Sequence, residues 1–329
     1  MSSAAEYLPA GVRIAQERVY HYTGAVALLG MIRDRKLWAS EAAGMNDRAE
    51  VRQGWAKILD WAEKQPDSPA IEVIRTHARS PELQPHEIFV LSASTRPDDA
   101  NQWRLYADGG RGYAVELDVS VPLAVVSDAR ASLTHREPAD AAAVEELDLE
   151  TFFDPGLLFA RVTPWLHVLY TEEEINTALQ LLARKLDADG ARFDDMRAQR
   201  VDEQEVQDHA AFSYRSSFED VALLANLIKE PGFEGENEVR IVTTFDRSED
   251  HLKYRAGTYG VVGYAELASS PHGDNSYIGD GEELAPLPIK SVRIGPLLAP
   301  EHDRTLVAML RKFGQAEGVD VDFSGVPLR

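Results

Sequence analysis

The sequence predicts an α+β fold built on a mostly antiparallel sheet. Segments with helical periodicity and segments with strand alternation both occur along the 329 residues. In the second half, the strand-like segments 238–245, 259–266 and 289–294 lie too close together in the sequence for helical crossovers. Parallel strands require such crossovers, so antiparallel pairing is favoured. Forty-four per cent hydrophobic and 27% charged residues is typical of a packed globular chain, and no repeat period is visible.

The first third of the chain alternates between strand and helix. Residues 18–23 predict a short strand, and residues 37–39 look extended. Between them, apolar residues at spacings of three and four predict a helix that ends at Lys36. Asn46-Asp47 is a capping sequence for a second helix. Residues 65–85 contain several prolines and are interpreted as a connection.

The next segments predict a strand–loop–strand unit. Residues 87–95 alternate, so Ser92 and Ser94 share one side of a largely buried strand, where each hydroxyl needs a hydrogen-bond partner. The loop contains Gln102-Trp103-Arg104-Leu105-Tyr106 and a glycine turn at 109–112, and it leads into a strand at 113–117. An amide, two aromatic rings and a guanidinium so close together suit either a planar polar ligand or the anchoring of a loop.

The domain organisation follows from a change of pattern near residue 141. From there to about residue 229 the chain is acidic, poor in glycine and helical in periodicity, which indicates a helical insertion. We therefore predict one elaborated domain over 1–329, with its core in 18–140 and 230–325 and the insertion at about 141–229. A helix near 301–315 and a short strand at 319–323 follow the last long strand.

Charge and composition exclude several classes of function. Thirty-four basic against 55 acidic residues give a net charge of −21, which makes bulk duplex DNA an improbable partner. The absence of cysteine removes disulfides, thiolate metal sites and a cysteine nucleophile. The nine histidines form no metal-binding motif, so we predict no metal. Neither a secretory signal nor a membrane-spanning stretch is visible, which predicts a cytoplasmic protein without a membrane partner.

Two short motifs combine side chains that are able to carry chemistry. In the first strand, His21 and Thr23 point to the same side and Tyr22 to the other. In a later strand, Glu236, Glu238 and Arg240 share one side. Each motif also has a structural interpretation. The first would be a strand-end histidine beside a capping threonine, and the second a solvated strand face with a weak ion pair.

The order of motifs resembles that of a bacterial family of unknown function, DUF2971. The shared features run through nearly the whole chain: His-Tyr-Thr, a helix ending in Lys-Leu-Trp, Asn46-Asp47 with Glu50, Phe-Val-Leu-Ser-Ala-Ser, Gln-Trp-Arg-Leu-Tyr, Gly-Tyr-Ala-Val-Glu-Leu, residues 229–240, and Ile294-Gly295-Pro296. Members of this family share no single agreed activity, so the resemblance by itself implies little about function.

A more distant resemblance, to ADP-ribosyltransferases of the poly(ADP-ribose) polymerase and DarT-like groups, is more informative. Their first strand ends in His-x-Thr/Ser before a helix, and a late strand begins with Asn-Glu, as His21-Tyr22-Thr23 and Asn237-Glu238 do here. The resemblance implies that NAD is the substrate. It also implies that Glu238 binds the nicotinamide ribose and stabilises the charge that develops as nicotinamide leaves, with Glu236 orienting the acceptor.

The same resemblance implies the remaining NAD contacts. His21 would bind the adenosine ribose, Thr23 would support the nicotinamide pocket, and the Tyr22 backbone would bind the carboxamide. An aromatic ring, Tyr106 or Tyr113, would stack on nicotinamide. The other candidate NAD-binding residues are Ser92, Ser94, Gln102 and Arg240.

The implied architecture is a split, two-sheet core in which His21 and Glu238 face each other across the cleft. The acceptor would be a protein, a nucleotide or an RNA, in a toxin or phage-defence setting. Two alternatives remain open at this point. The pocket could be an NAD glycohydrolase, in which water is the acceptor. The chain could instead be a non-enzymatic module that senses a ligand or partner through its helical insertion, with His21 and Glu238 merely structural.

Overall fold

The computed structural model describes most of the chain, and the statements below concern those residues. They are 8–9, 11–42, 48–80, 86–127, 160–246, 252–257, 260–270, 278–279, 283–315 and 317–328. The predicted helix cap Asn46-Asp47 and the first part of the predicted insertion, up to residue 159, lie outside them.

The described residues contain thirteen strands and seven α-helices. The strands are β1 (Val19–Thr23), β2 (Leu37–Glu41), β3 (His86–Ser94), β4 (Tyr113–Leu117), β5 (Leu123–Ser127), β6 (Ala160–Val162), β7 (Leu166–His167), β8 (Glu238–Asp246), β9 (Lys253–Gly257), β10 (Gly260–Ser269), β11 (Ile278–Gly279), β12 (Ile289–Ile294) and β13 (Asp320–Phe323). The helices are α1 (Ala25–Asp34), α2 (Arg48–Glu63), α3 (Pro69–Arg79), α4 (Ala100–Tyr106), α5 (Glu172–Ala198), α6 (Glu203–Leu227) and α7 (His302–Lys312).

The strands form a mostly antiparallel sheet, which confirms the α+β prediction. The main path runs β11-β5-β10-β2-β3-β1-β4-β12-β13, and β8 pairs with β3 along its whole length. Among the named strands of the described residues, the pairings β11–β5 and β12–β13 are parallel and the others are antiparallel. Hydrogen bonds join the thirteen described strands in one sheet, so the expectation of a split, two-sheet core is not met. The sheet divides at β3, because β2 and β1 pair with different parts of this strand. β2 pairs with it at Val90, and β1 pairs with it only at Ser94.

Two helices lie where the sequence predicted connections. Residues 65–85 contain α3, which begins after Ser68, and the Ser68 side chain accepts a hydrogen bond from the Ile71 amide. Pro69 occupies the first turn, where a missing N–H costs nothing, so this proline starts the helix instead of breaking it. Residues 100–106 form α4, which is capped by the Asp99 side chain.

The described part of the predicted insertion contains strands as well as helices. β6 and β7 pair with β8 and so extend the sheet. The long helices α5 and α6 follow. A Thr171–Glu174 capping box starts α5, and Asp202 caps α6.

Apolar residues fill both sides of the sheet. On one side, Val19, Val115 and Ile241 pack with residues of α1 and α7. On the other side, Val90 and Val242 pack with residues of α2, α3, α5 and α6. Successive residues of β3 and β8 point to opposite sides of the sheet. Each polar residue of these strands can therefore be assigned to one side.

Candidate functional site: a charged cluster at the start of β8

Four polar side chains meet where β3 ends and β8 begins. Ser94 lies opposite Glu238 and Ser92 lies opposite Arg240 in the antiparallel register. Paired residues project from the same side of a sheet, so all four lie on the side of Val90 and Val242. Of the three residues predicted to share one strand face, Glu238 and Arg240 do so, whereas Glu236 precedes the strand.

A left-handed residue brings a second carboxylate to the same place. Glu236 ends a 3-10 turn (Pro231–Glu236) and precedes the strand. Asn237 then adopts φ 46° and ψ 49°, and its Nδ2 donates hydrogen bonds to the carbonyls of Glu234 and Gly235. Asparagine tolerates this conformation better than most residues. The bend, and not strand alternation, therefore directs Glu236 toward Glu238.

Two cations and the two carboxylates form a charge-balanced cluster. The Lys229 Nζ lies 2.8 Å from Glu236 Oε2 and 2.8 Å from Glu238 Oε2. Arg240 binds Glu238 through two nitrogens, with Nε 2.7 Å from Oε1 and the second nitrogen 2.9 Å from Oε2. Its remaining terminal nitrogen donates to the Asn226 carbonyl at 2.6 Å. The end of α6 is thereby tied to β8.

The cluster fixes the protonation state of Glu238. Burial alone raises the pKa of this carboxyl, but the opposing effect of Arg240 and Lys229 is larger and lowers the pKa to about 2. The side chains of Lys229, Glu238 and Arg240 are 7%, 8% and 3% exposed. Glu238 is therefore an ionised carboxylate held in a nearly closed environment.

Two tyrosines complete the cluster, one inside it and one at its mouth. The Tyr170 hydroxyl accepts a hydrogen bond from the Glu238 amide at 3.0 Å, and burial raises the pKa of Tyr170. The Tyr106 hydroxyl lies 3.3 Å from both carboxylate oxygens of Glu236, and the side chain of Tyr106 remains 43% exposed. Burial and the nearby Glu236 raise the Tyr106 pKa, so this phenol is a neutral donor.

Ser94 and Gln102 hold the backbone of the turn. The Glu236 carbonyl accepts from Ser94 Oγ at 2.6 Å and from Gln102 Nε2 at 3.3 Å. Ser92 differs, since its hydroxyl is buried without a hydrogen-bond partner. Six residues that the sequence predicted for the site therefore meet here: Ser94, Gln102, Tyr106, Glu236, Glu238 and Arg240.

His21 lies on the other side of the sheet from this cluster, which contradicts the expected cleft. It pairs with Val115 on β4 and so shares the side of Val19, whereas Glu238 shares the side of Ser94. The His21 Nδ1 lies 2.8 Å from the Ser92 carbonyl, which can only accept, so Nδ1 carries the hydrogen. Burial lowers the His21 pKa. His21 therefore has a structural contact where β1 and β3 diverge.

The other residues of the first motif also have structural partners. The Tyr22 hydroxyl donates to the Arg96 carbonyl and accepts from the Asp99 amide, and its ring packs edge-on against Trp103. Thr23 is buried and pairs with Tyr113, which packs against the core on the His21 side. Of the two aromatic candidates, Tyr106 lies at the cluster and Tyr113 does not.

Sequence reasoning missed Lys229 and Tyr170 as members of the site. A signal for Lys229 was present, because it follows the apolar end of α6, and a cation so placed must find a carboxylate partner. Tyr170 gave no comparable signal. Across the part of the chain that the structure describes, no group of three or more acidic or histidine side chains is arranged to hold a metal ion. Nor does any helix there have the length and apolarity to cross a membrane.

The fold and site together define an α+β chain with a carboxylate–cation cluster at the start of a central strand. Residues 102–241 match the model of a family described as "Protein of unknown function (DUF2971)", which supports the assignment made from the motifs. This range includes Gln102, Tyr106 and the whole charged cluster. No curated protein and no solved structure matches the chain.

Proposed function

We propose that this chain transfers ADP-ribose from NAD to an acceptor, with Glu238 as the catalytic carboxylate. The observation that carries the proposal is the convergence of Glu236 and Glu238 on one ammonium group beneath a partly exposed phenol. An ionised carboxylate in a low-dielectric site is suited to stabilising positive charge that develops in a transition state.

In the proposed reaction, the bond between nicotinamide and the ribose anomeric carbon breaks and its electron pair leaves with nicotinamide. The oxocarbenium-like charge on the ribose is stabilised by Glu238. The acceptor, oriented by Glu236, then forms the new bond to that carbon and loses its proton to solvent. Glu238 suits contact with a ribose hydroxyl, because Oε1 accepts one hydrogen bond, from Arg240 Nε, and retains a lone pair.

The proposal retains the roles that the ADP-ribosyltransferase resemblance implies for Glu236 and Glu238. It abandons the roles implied for His21 and Thr23. His21 and Thr23 project from the other side of the sheet, so they are assigned no contact with NAD. This removes the expected contact to the adenosine ribose and with it one support for NAD binding. Of the two aromatic candidates, Tyr106 is the ring available to nicotinamide, since it is partly exposed beside Glu236. Water as the acceptor would make the same site an NAD glycohydrolase.

A second candidate function is a partner- or ligand-sensing module without turnover. The observation that favours it is the closure of the cluster, in which two cations neutralise two carboxylates and Glu236 itself is only 11% exposed. His21 also has a structural contact, as this function requires. In such a module the cluster would join α6 to the sheet, and a partner would bind the α5–α6 pair.

The deciding experiment compares wild type with Glu238→Gln, which keeps the shape of the side chain and removes its charge. Each protein is incubated with NAD and cell lysate, and both nicotinamide release and ADP-ribose attached to macromolecules are followed. Glu234→Gln is the matched control, because this exposed residue lies in the same turn but its carboxylate is not part of the cluster. His21→Ala is expected to keep the wild-type KM for NAD.

Each outcome selects one function. Release and attachment in wild type and in Glu234→Gln, lost in Glu238→Gln, would support the transferase. Release without attachment would indicate the glycohydrolase. No release from wild type, together with no NAD binding by calorimetry, would contradict both enzymes and favour the sensing module. Thermal melting of each variant separates loss of activity from loss of folding.

A further inference from the structure

The loop that carries α4 is fastened to the segment 324–328. The Asp98 Oδ1 accepts hydrogen bonds from Trp103 Nε1 and from Ser324 Oγ, both at 2.6 Å. Its Oδ2 accepts from the Gly325 amide at 2.8 Å. One carboxylate thus joins the body of α4, through Trp103, to a segment more than two hundred residues later in the chain. Hydrogen bonds to a charged acceptor are among the stronger ones in proteins.

Apolar contacts reinforce this attachment. Val326 and Leu328 pack against a small cluster that contains Tyr20, Tyr22, Trp103, Ala107 and Ala114. Gly110, which follows α4, has φ +94°, and a Cβ built there would lie 2.9 Å from Leu328 Cδ1. The absence of a side chain at Gly110 therefore allows Leu328 to approach. Trp103 itself is fully buried beneath these residues.

By contrast, α4 is weakly attached to the charged cluster. Its contacts there are Gln102 Nε2 to the Glu236 carbonyl and Tyr106 OH to the Glu236 carboxylate, each at 3.3 Å. These distances exceed the usual 2.7–3.2 Å for strong hydrogen bonds. The position of Tyr106 over Glu236 is therefore determined mainly by what holds the rest of α4.

We propose that residues 324–328 are a positioning segment for the Glu236–Glu238 site. They fix α4 through Asp98, Trp103 and Gly110, and α4 in turn places Tyr106 and Gln102 on Glu236. The catalytic consequence rests on the proposed function, but the structural consequence does not. Release of the segment loosens α4, which Tyr22 still contacts through Asp99 and Trp103, and leaves the charged cluster of Lys229, Glu238 and Arg240 intact.

The test uses the full chain with Leu328→Asp, which puts a charge against the apolar cluster. Val326→Ala is a milder second variant, and Leu328→Met is the conservative rescue. Phe323→Ala is the matched control, because this neighbouring apolar side chain is 42% exposed and is not part of the cluster. Hydrogen exchange of the amides in 100–106 is measured together with exchange in 238–246 and with nicotinamide release.

We expect exchange in 100–106 to become at least about tenfold faster in Leu328→Asp, with little change in 238–246, because only the local opening of α4 becomes easier. Nicotinamide release should fall about tenfold or more, mainly through kcat, since small displacements of positioning groups have effects of this size. Leu328→Met and Phe323→Ala should resemble wild type in both measurements.

Two results would overturn the proposal. Unchanged exchange in 100–106 for both Leu328→Asp and Val326→Ala would show that the segment does not hold α4. Faster exchange with unaltered nicotinamide release would show that α4 does not position the site. If wild type releases no nicotinamide, the proposed function fails, and the exchange measurement still decides whether residues 324–328 hold α4.

Discussion

Two buried polar clusters lie along α6, and they differ in the kind of group that each one buries, an ionic cluster in one case and a neutral ring in the other. At the end of α6, Lys229 and Arg240 neutralise Glu236 and Glu238. Nearer its middle, His77 of α3 packs on Ser217, Tyr214 and Phe218 of α6. The first cluster joins the sheet to the helices, whereas the second lies between helices.

The second cluster leaves polar atoms unpaired. The Ser217 hydroxyl donates its single hydrogen to the Tyr214 carbonyl, so His77 Nε2 must donate to Ser217 and Nδ1 is left as a bare acceptor. Asp220 is fully buried between two cations: its Oδ2 lies 2.8 Å from Lys185 Nζ, and its Oδ1 lies 3.5 Å from an Arg161 terminal nitrogen without forming a hydrogen bond. Burial raises the Asp220 pKa. The carboxylates of both clusters are thus paired with cations, but His77 between the helices is a neutral ring with one ring nitrogen left without a hydrogen bond.

The difference indicates how each cluster responds to mutation. A fully paired ionic cluster is damaged when one member is removed, because its partners stay buried and charged. A polar group that is already unsatisfied costs little to replace with an apolar group of similar shape. The following predictions test this contrast, in order of decreasing expected effect.

Glu238→Ala is expected to have the largest effect on stability. It leaves Arg240 without its bidentate partner and Lys229 with one carboxylate, which should lower the free energy of unfolding by about 3–5 kcal/mol. Urea denaturation provides the measurement. The exposed neighbour change Glu234→Ala should stay within about 0.5 kcal/mol of wild type. A loss below about 1 kcal/mol for Glu238→Ala would mean that water already reaches the two cations.

The pH dependence of stability should separate the two clusters. Burial lowers the His77 pKa from its ordinary value of 6.5 to about 4. Between these values the unfolded chain binds a proton that the folded chain excludes, so the free energy of unfolding falls as the pH decreases. Glu238, with a pKa of about 2, loses its contribution only below its unfolded value of 4.5.

Denaturation at about pH 7 and at about pH 5 tests this assignment. Wild type should lose stability between the two conditions, and His77→Phe should lose less. Equal losses in the two proteins would assign the effect to other histidines, such as His21, whose pKa is also lowered by burial.

His77→Phe itself should change stability at neutral pH by no more than about 1 kcal/mol. The substitution removes the unpaired Nδ1 and keeps an aromatic ring between Tyr214 and Phe218. Ser217 retains its bond to the Tyr214 carbonyl. Thermal melting of the two proteins checks the result, and a loss of more than about 3 kcal/mol would indicate that the His77–Ser217 bond is essential to the packing of α3.

Tyr106→Phe is expected to have the smallest effect on stability, within about 0.5 kcal/mol, because its hydrogen bonds are long and partly exposed. Its effect on nicotinamide release should be larger than its effect on unfolding, since the phenol lies at the mouth of the site. Tyr170→Phe is the buried comparison, and its loss of the bond to the Glu238 amide should cost about 1 kcal/mol.

The strands were the most predictable part of the molecule, because residues that alternate between the two sides of a strand can be identified from the sequence. The alternation of residues 87–95 placed Ser92 and Ser94 on one side, as the structure has them. Helix α3 was missed because its prolines were counted as breakers, although Ser68-Pro69 is a helix start. Helix α4 was missed because its seven residues, about two turns, are too few to show a period.

The site was only partly predictable for a related reason. Alternation within one strand identified Glu238 and Arg240, but Glu236 reaches them through the left-handed Asn237. Lys229 and Tyr170 join the site through tertiary contacts that no local pattern encodes. The resemblance to ADP-ribosyltransferases placed His21 in a cleft with Glu238. In the structure, the pairing of β1 with β4 directs His21 to the side of the sheet opposite Glu238. Register between distant strands is a property of the whole fold.

The pairing of β3 with β8 has a consequence for how the chain folds. The bond from Ser94 to the Glu236 carbonyl joins residues 142 positions apart. Closing so long a loop costs conformational entropy before any contact forms, and such pairings slow folding. The charged groups of the site therefore stay hydrated until this late closure. Assembly of the central sheet and dehydration of the site are parts of one kinetic event.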